Sequence, residues 1–145
     1  MIGAVQLHGQ ETAEYIAGLR KLLEWQPAGG RGRVPVIQAL RIGDSDDLAA
    51  ALRSEADFLL LDHGSGGTGK SFDWSLIEGE RRPKRPFFLA GGLGPGNIEE
   101  AVRRIRPFGV DMSSGVETEG FKDREKIASV MYRIRALRSS GRGGF

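Results

Sequence analysis

Short apolar runs along the chain alternate with stretches in which apolar residues recur every third or fourth position. The first run is residues 5–7. Over residues 11–25, Tyr15, Ile16, Leu19, Leu22 and Leu23 then fall on one helical face. A connection rich in Gly, Pro and Arg leads to the second run, residues 34–40. Asp44 and Ser45 are natural caps for a helix that puts Leu48 and Leu52 on one side. Residues 58–61 form a fully apolar third run, followed by a glycine-rich loop and a short helix over 72–77. The fourth run, 87–90, reaches Gly91 and Gly92, and Pro95 opens a helix with Ile98, Val102 and Ile105 inward. Residues 110–113 are the fifth run, and Asp123 caps a last helix carrying Ile127, Val130, Met131, Ile134 and Leu137. The Ser-, Gly- and Arg-rich tail, 139–145, is expected to be disordered, which leaves one domain over 1–138.

Nearly continuous apolar strands alternating with helices predict an α/β fold with a parallel sheet covered on both faces or closed into a barrel. Periodicity suits both forms. The strand ends carry more information: each run stops at a polar or glycine-rich segment, namely His8-Gly9, Arg41, Asp62, Gly91-Gly92 and Ser113-Ser114-Gly115. In a barrel these five segments meet on one face, where active sites of that architecture lie.

Composition narrows the function. The 145 residues suffice for one domain, and 21 basic against 19 acidic side chains leave a net charge of only +2. Such a balance argues against a nucleic-acid-binding surface. There is no cysteine, which excludes disulfides, thiolate metal sites and a cysteine nucleophile within these residues. The opening MIGAVQLHGQ does not read as a signal peptide, and no apolar stretch is long enough to span a bilayer. A cytoplasmic protein without membrane partners is expected.

Two loops suggest anion binding. LAGGLGP places Gly91 and Gly92 before a helix, and DMSSGVE places Ser113, Ser114 and Gly115 after a strand. Glycines let backbone N–H groups approach an anion, serine hydroxyls add donors, and the loops after the final two barrel strands are the usual phosphate site. Either loop alone reads as a connecting turn; the two together favour phosphate. Asp62, ending LLLD, is a candidate general acid or base, with a surface or capping aspartate as the alternative. GSGGTGKS, residues 64–71, matches the P-loop pattern, but the short helical stretch after it fits a lid over a substrate better. His8 ends the first strand and Asp111 lies near the serines; both are candidate ligand contacts or local hydrogen-bonding groups.

In order, VQLHG, LLLD, GGTGKSFDW, FLAGGLGPGNI, GVDMSSGVE and GFKD resemble phosphoribosylanthranilate isomerase, a (βα)₈-barrel enzyme of tryptophan biosynthesis. The resemblance implies an Amadori rearrangement of N-(5-phosphoribosyl)anthranilate to 1-(2-carboxyphenylamino)-1-deoxyribulose 5-phosphate, without metal or organic cofactor. It implies Asp62 as general acid and a phosphate site on Gly91, Gly92, Ser113, Ser114 and Gly115. His8 and Asp111 would lie beside the substrate, and the loop 64–70 would act as the lid. The family's base is a cysteine after the first strand, and this sequence has none. The expectation is therefore a partial TIM barrel of about five βα units with strands 1–3 missing, and an inactive chain. The alternative is a non-catalytic, phosphate-binding partial barrel. Its exposed edges would favour self-association or completion by another chain.

Overall fold

The computed structural model describes residues 3–24, 33–62 and 73–140. Strand β1 (Val5–Leu7) leads to helix α1 (Ala13–Glu24), β2 (Val36–Arg41), α2 (Ser45–Leu52) and β3 (Phe58–Asp62). Two 3₁₀ turns, Trp74–Ile77 and Gly79–Arg81, precede β4 (Phe87–Leu89), α3 (Ile98–Ile105) and β5 (Gly109–Val110). A third 3₁₀ turn (Ser114–Val116) runs into a hairpin of β6 (Glu117–Thr118) and β7 (Phe121–Lys122), and α4 (Arg124–Ser140) follows. β1 to β5 form one parallel sheet in chain order, as expected of an α/β protein.

Alternation along the strands sorts the side chains. Leu59, Leu61, Phe87 and Leu89 face the helices and pack with Leu48, Ala51, Ile77, Ala101 and Ile105. Full burial of such a side chain contributes about 1.5–3 kcal/mol, so this layer dominates the fold. The intervening residues form the sheet's second face. There the rings of Phe58, Phe88 and Phe108 meet with centroids 5.3–5.9 Å apart, and Phe108 is 65% exposed.

At the N-terminal ends of the strands, arginines tie elements together. Arg20 on α1 reaches Asp57 at 2.9 Å and the Glu55 carbonyl at 2.6 Å, while Arg33 reaches Asp57 at 3.1 Å. Asp57 also accepts from the Val36 amide at 2.8 Å. Arg85 donates to the carbonyls of Ser54 and Ala56, and Arg82 to those of Ile105 and Arg106. Burial pushes the Asp57 carboxyl upward, but the Val36 amide and the Arg20 and Arg33 guanidinium groups outweigh it and hold it below the usual carboxylate range.

Several sequence expectations need correction. Tyr15 and Leu22 are exposed, and only Ile16, with Leu19 and Leu23 beside it, packs inward. Both exposed residues lie roughly a hundred degrees around the helix from Ile16, outside the stripe one sheet contact can cover. Leu52 is 42% exposed at the end of a short helix. α3 starts at Ile98 rather than Pro95, because the Gly94–Asn97 segment is committed to a turn. Among the described residues β3 and β4 are joined only by 3₁₀ turns, and the β6–β7 hairpin was not foreseen. α4 continues through Ser140, past the boundary expected at 138; residues 141–145 lie outside the described residues.

Candidate active site

Register places the strand-end polar groups on one face. Arg41 of β2 is the direct partner of Asp62 of β3. The amide of Ala90 bonds the Leu61 carbonyl at 2.8 Å and that of Asp111 bonds the Leu89 carbonyl at 2.9 Å, so the ladder continues one residue beyond β4 and β5. Asp62, Ala90 and Asp111 thereby occupy successive places on one rung, with the backbones of the two aspartates two strand spacings, about 10 Å, apart. Asp62 is partly buried and Asp111 exposed. His8 follows β1 on the same face as Gln6, whose Nε2 donates to the imidazole Nε2 at 2.9 Å.

Beyond this rung stand the two glycine-rich loops. Gly91 (φ 90°) and Gly92 (φ 64°) both occupy the left-handed half of backbone space, which L side chains avoid. Asn97 fixes the loop by accepting from the Gly94 amide at 2.9 Å and donating to the Gly92 carbonyl at 3.0 Å. Its side chain is thus turned back on the loop and does not cap α3. Buried Leu93 anchors the loop in the core.

The second loop packs directly onto the first. A β-carbon on Gly115 would overlap the Leu93 carbonyl oxygen, and one on Gly94 would lie 2.7 Å from the Gly115 carbonyl oxygen. Backbone meets backbone, so the two loops form one cup. Ser113 and Ser114 sit on its exposed side. The Ser113 hydroxyl and carbonyl each accept from Lys122 Nζ at 3.3 Å, and Lys122 pairs with Glu117 at 2.7 Å. That lysine holds the Glu117 carboxyl below the usual range.

All the residues singled out from the sequence, His8, Asp62, Gly91, Gly92, Asp111, Ser113, Ser114 and Gly115, therefore lie at the C-terminal ends of the parallel strands. The lid expected over 64–70 lies outside the described residues. Sequence reasoning did not single out Gly94, Asn97, Glu117 or Lys122 as site residues. The first pair stands in GLGPGN and the second flanks the turn in ETEGFK, motifs whose roles depend on contacts between loops. Among the described residues no group of three or more His, Cys, Asp or Glu is placed to hold a metal ion, and no helix is long and apolar enough to cross a membrane.

The arrangement sets two interlocked loops bearing glycines and serine hydroxyls beside a carboxylate at the end of β3 and a second carboxylate just after β5. Such a set can hold a phosphorylated molecule by one end and transfer a proton at the other.

The profile of the family described as PRAI, N-(5'phosphoribosyl)anthranilate (PRA) isomerase, matches residues 1–133. The N-(5'-phosphoribosyl)anthranilate isomerase of Acetivibrio thermocellus is 41% identical over 92% of this chain and 62% of its own length. That of Endomicrobium trichonymphae is 44% identical over 94% of this chain and 62% of its own. The crystal structure of phosphoribosyl anthranilate isomerase from Thermotoga maritima superimposes with a TM-score of 0.74 at 37% identity, covering 93% of this chain and 62% of that one. A phosphoribosyl anthranilate isomerase in complex with reduced 1-(o-carboxyphenylamino)-1-deoxyribulose 5-phosphate superimposes with a TM-score of 0.71 at 35% identity, over 93% of this chain and 60% of that one. The chain thus spans about 62% of the length of the curated relatives it matches. With its parallel α/β sheet, its paired glycine loops and these matches, the chain belongs to the N-(5'-phosphoribosyl)anthranilate isomerase family.

Proposed function

We propose that this chain supplies the ribose-phosphate cup and the general acid of the phosphoribosylanthranilate isomerase reaction of tryptophan biosynthesis, with N-(5-phosphoribosyl)anthranilate as substrate. The observation that carries the reading is the interlocked pair of loops around Gly94 and Gly115, standing beside the rung that holds Asp62 and Asp111. The phosphate binds the amides of Gly91, Gly92, Ser114 and Gly115 and the serine hydroxyls. Asp62 donates its proton to the ribose ring oxygen as the C1′–O bond breaks, leaving an iminium. Loss of the C2′ proton then gives the enamine, which tautomerises to the ketone. Asp111 and His8 contact the sugar or anthranilate groups. The substrate is a soluble metabolite, and a cytoplasmic site of action goes with it. No metal or organic cofactor is needed for these steps.

The C2′ proton needs a base, and no cysteine is present in the sequence. Five strands run in chain order where a (βα)₈ barrel has eight, and the chain spans about 62% of its relatives' length. Both support the reading that the 145 residues correspond to the last five βα units, with one of the two proton-transfer groups. By itself the chain then turns over negligibly. The test is an isomerase assay of the chain alone and after addition of a separate polypeptide comprising the first three βα units of a relative. Turnover is expected only in the mixture, and is lost with Asp62→Asn. Turnover by the chain alone comparable to that of a full-length relative would sink this reading.

The missing cysteine also favours a second reading, a non-catalytic module that binds phosphorylated ligands. It predicts phosphate binding with no turnover in any mixture.

A further inference from the structure

We infer that Lys122 is a positioning residue for the phosphate cup, fixing the Ser113 hydroxyl so that its proton is free for an incoming phosphate oxygen. The inference rests on the proposed function and deepens it.

Lys122 stands on the β6–β7 hairpin, which contributes nothing to the parallel sheet. Its ammonium has three N–H groups, and three acceptors surround it: the Ser113 carbonyl and the Ser113 hydroxyl, each at 3.3 Å, and Glu117 Oε1 at 2.7 Å. An N–H aimed at the hydroxyl oxygen occupies a lone pair, so the serine O–H points elsewhere. Its partner among the described residues is Glu117 Oε1 at 3.4 Å, far beyond the usual O–H···O separation of about 2.7–2.8 Å. The proton is loosely held and turns toward an anion in the cup at little cost.

The hairpin is built to keep this lysine in place. Glu117 and Lys122 are direct cross-strand partners. The turn between them has positive φ at both central residues, Glu119 (53°) and Gly120 (81°), which matches the right-handed twist of a two-residue hairpin. Thr118 donates to Asp123, and Lys126 donates to the Glu117 carbonyl, both at 2.5 Å. Asp123 in turn accepts from the amides of Glu125 and Lys126 and so starts α4. Glu117 anchors the ammonium and neutralises it while the cup is empty. When phosphate arrives, the lysine charge is already beside it, and its attraction is strongest where water is excluded.

The test is an amide-resolved NMR titration of the chain with inorganic phosphate, following Gly92, Ser114 and Gly115, in a double-mutant cycle. Lys122→Met is expected to weaken binding about tenfold, Ser113→Ala by a similar factor, and the double variant by little more than either. Asp57→Asn, at the opposite ends of the strands, is the structural control and should lower Tm without changing phosphate affinity. Unchanged affinity in Lys122→Met overturns the inference. So does an equal loss in the presence and absence of the Ser113 hydroxyl, since the lysine would then act by charge alone. If Lys122→Met loses its dispersed spectrum, Lys122→Gln carries the same cycle under the same criteria. Absence of saturable shifts in the unmodified chain would refute the phosphate cup itself, and the inference with it.

Discussion

Gly94 and Gly115 meet backbone to backbone: a β-carbon on Gly94 would lie 2.7 Å from the Gly115 carbonyl oxygen, and Gly115 presses in return on the Leu93 carbonyl. Two loops that follow different strands are thereby fused into one surface. Gly92 differs, since its positive φ is required but a β-carbon there would meet open space. Gly115→Ala is therefore expected to cost about 2–3 kcal/mol, or to push the Ser113 loop away, because backbone cannot yield as a side chain does. Gly92→Ala should cost only about 1 kcal/mol through left-handed strain. Denaturant melts of the two variants check the ordering, and equal losses would contradict it.

Asp57 ties α1, the start of β2 and the start of β3 through Arg20, Arg33 and the Val36 amide. Its carboxyl is held below the usual range, despite the opposing pull of burial, by that amide and those guanidinium groups. The folded state thus binds the proton less tightly than the unfolded chain. The stability this contributes is fully present above about pH 4, the unfolded value, and is lost as pH falls through the lower folded value. Asp57→Asn is expected to lower stability by about 1–3 kcal/mol at neutral pH. The difference from the unmodified chain should shrink below about pH 4. Thermal melts from pH 7 to pH 3 decide it, and a gap that widens in acid would refute it.

The second face of the sheet presents Phe58, Phe88 and the largely exposed Phe108 as one aromatic patch beside the strand edge at β5. Self-association through this face is expected at high concentration, since unpaired edges and apolar patches are both adhesive. Phe108→Asp should shift the population toward monomer in multi-angle light scattering. A monodisperse monomer for the unmodified chain would count against the prediction.

Glu119 sits at φ 53° in the hairpin turn, a conformation glycine and asparagine adopt more readily. Glu119→Asn should raise stability by about 0.5–1 kcal/mol, with the Lys122–Glu117 pair retained. A fall in Tm would show that the glutamate side chain has a role beyond the turn.

Much of the architecture was legible in the chain itself. The apolar runs ending at Leu7, Leu61 and Leu89 have the length and continuity of buried parallel strands, and the cap at Asp44 has a local cause, its carboxylate accepting from Asp46 and Asp47. That His8, Asp62 and the Gly and Ser loops would stand together at the strand ends was also visible, because strand ends in a parallel fold collect on one side. What pattern could not decide was which apolar residues face inward at the margins. Tyr15, Leu22 and Leu52 satisfy the helical period yet stay exposed, since burial depends on how far the neighbouring sheet extends. Nor could spacing show that Asn97 would hold its own loop, or that Lys122 would reach back to Ser113. Local chemistry determined the strands and caps of this protein and the polar residues at its strand ends. Only the tertiary structure decided that Gly94 and Gly115 interlock and that a short hairpin brings a lysine to the cup, because such contacts arise only when separate loops pack together.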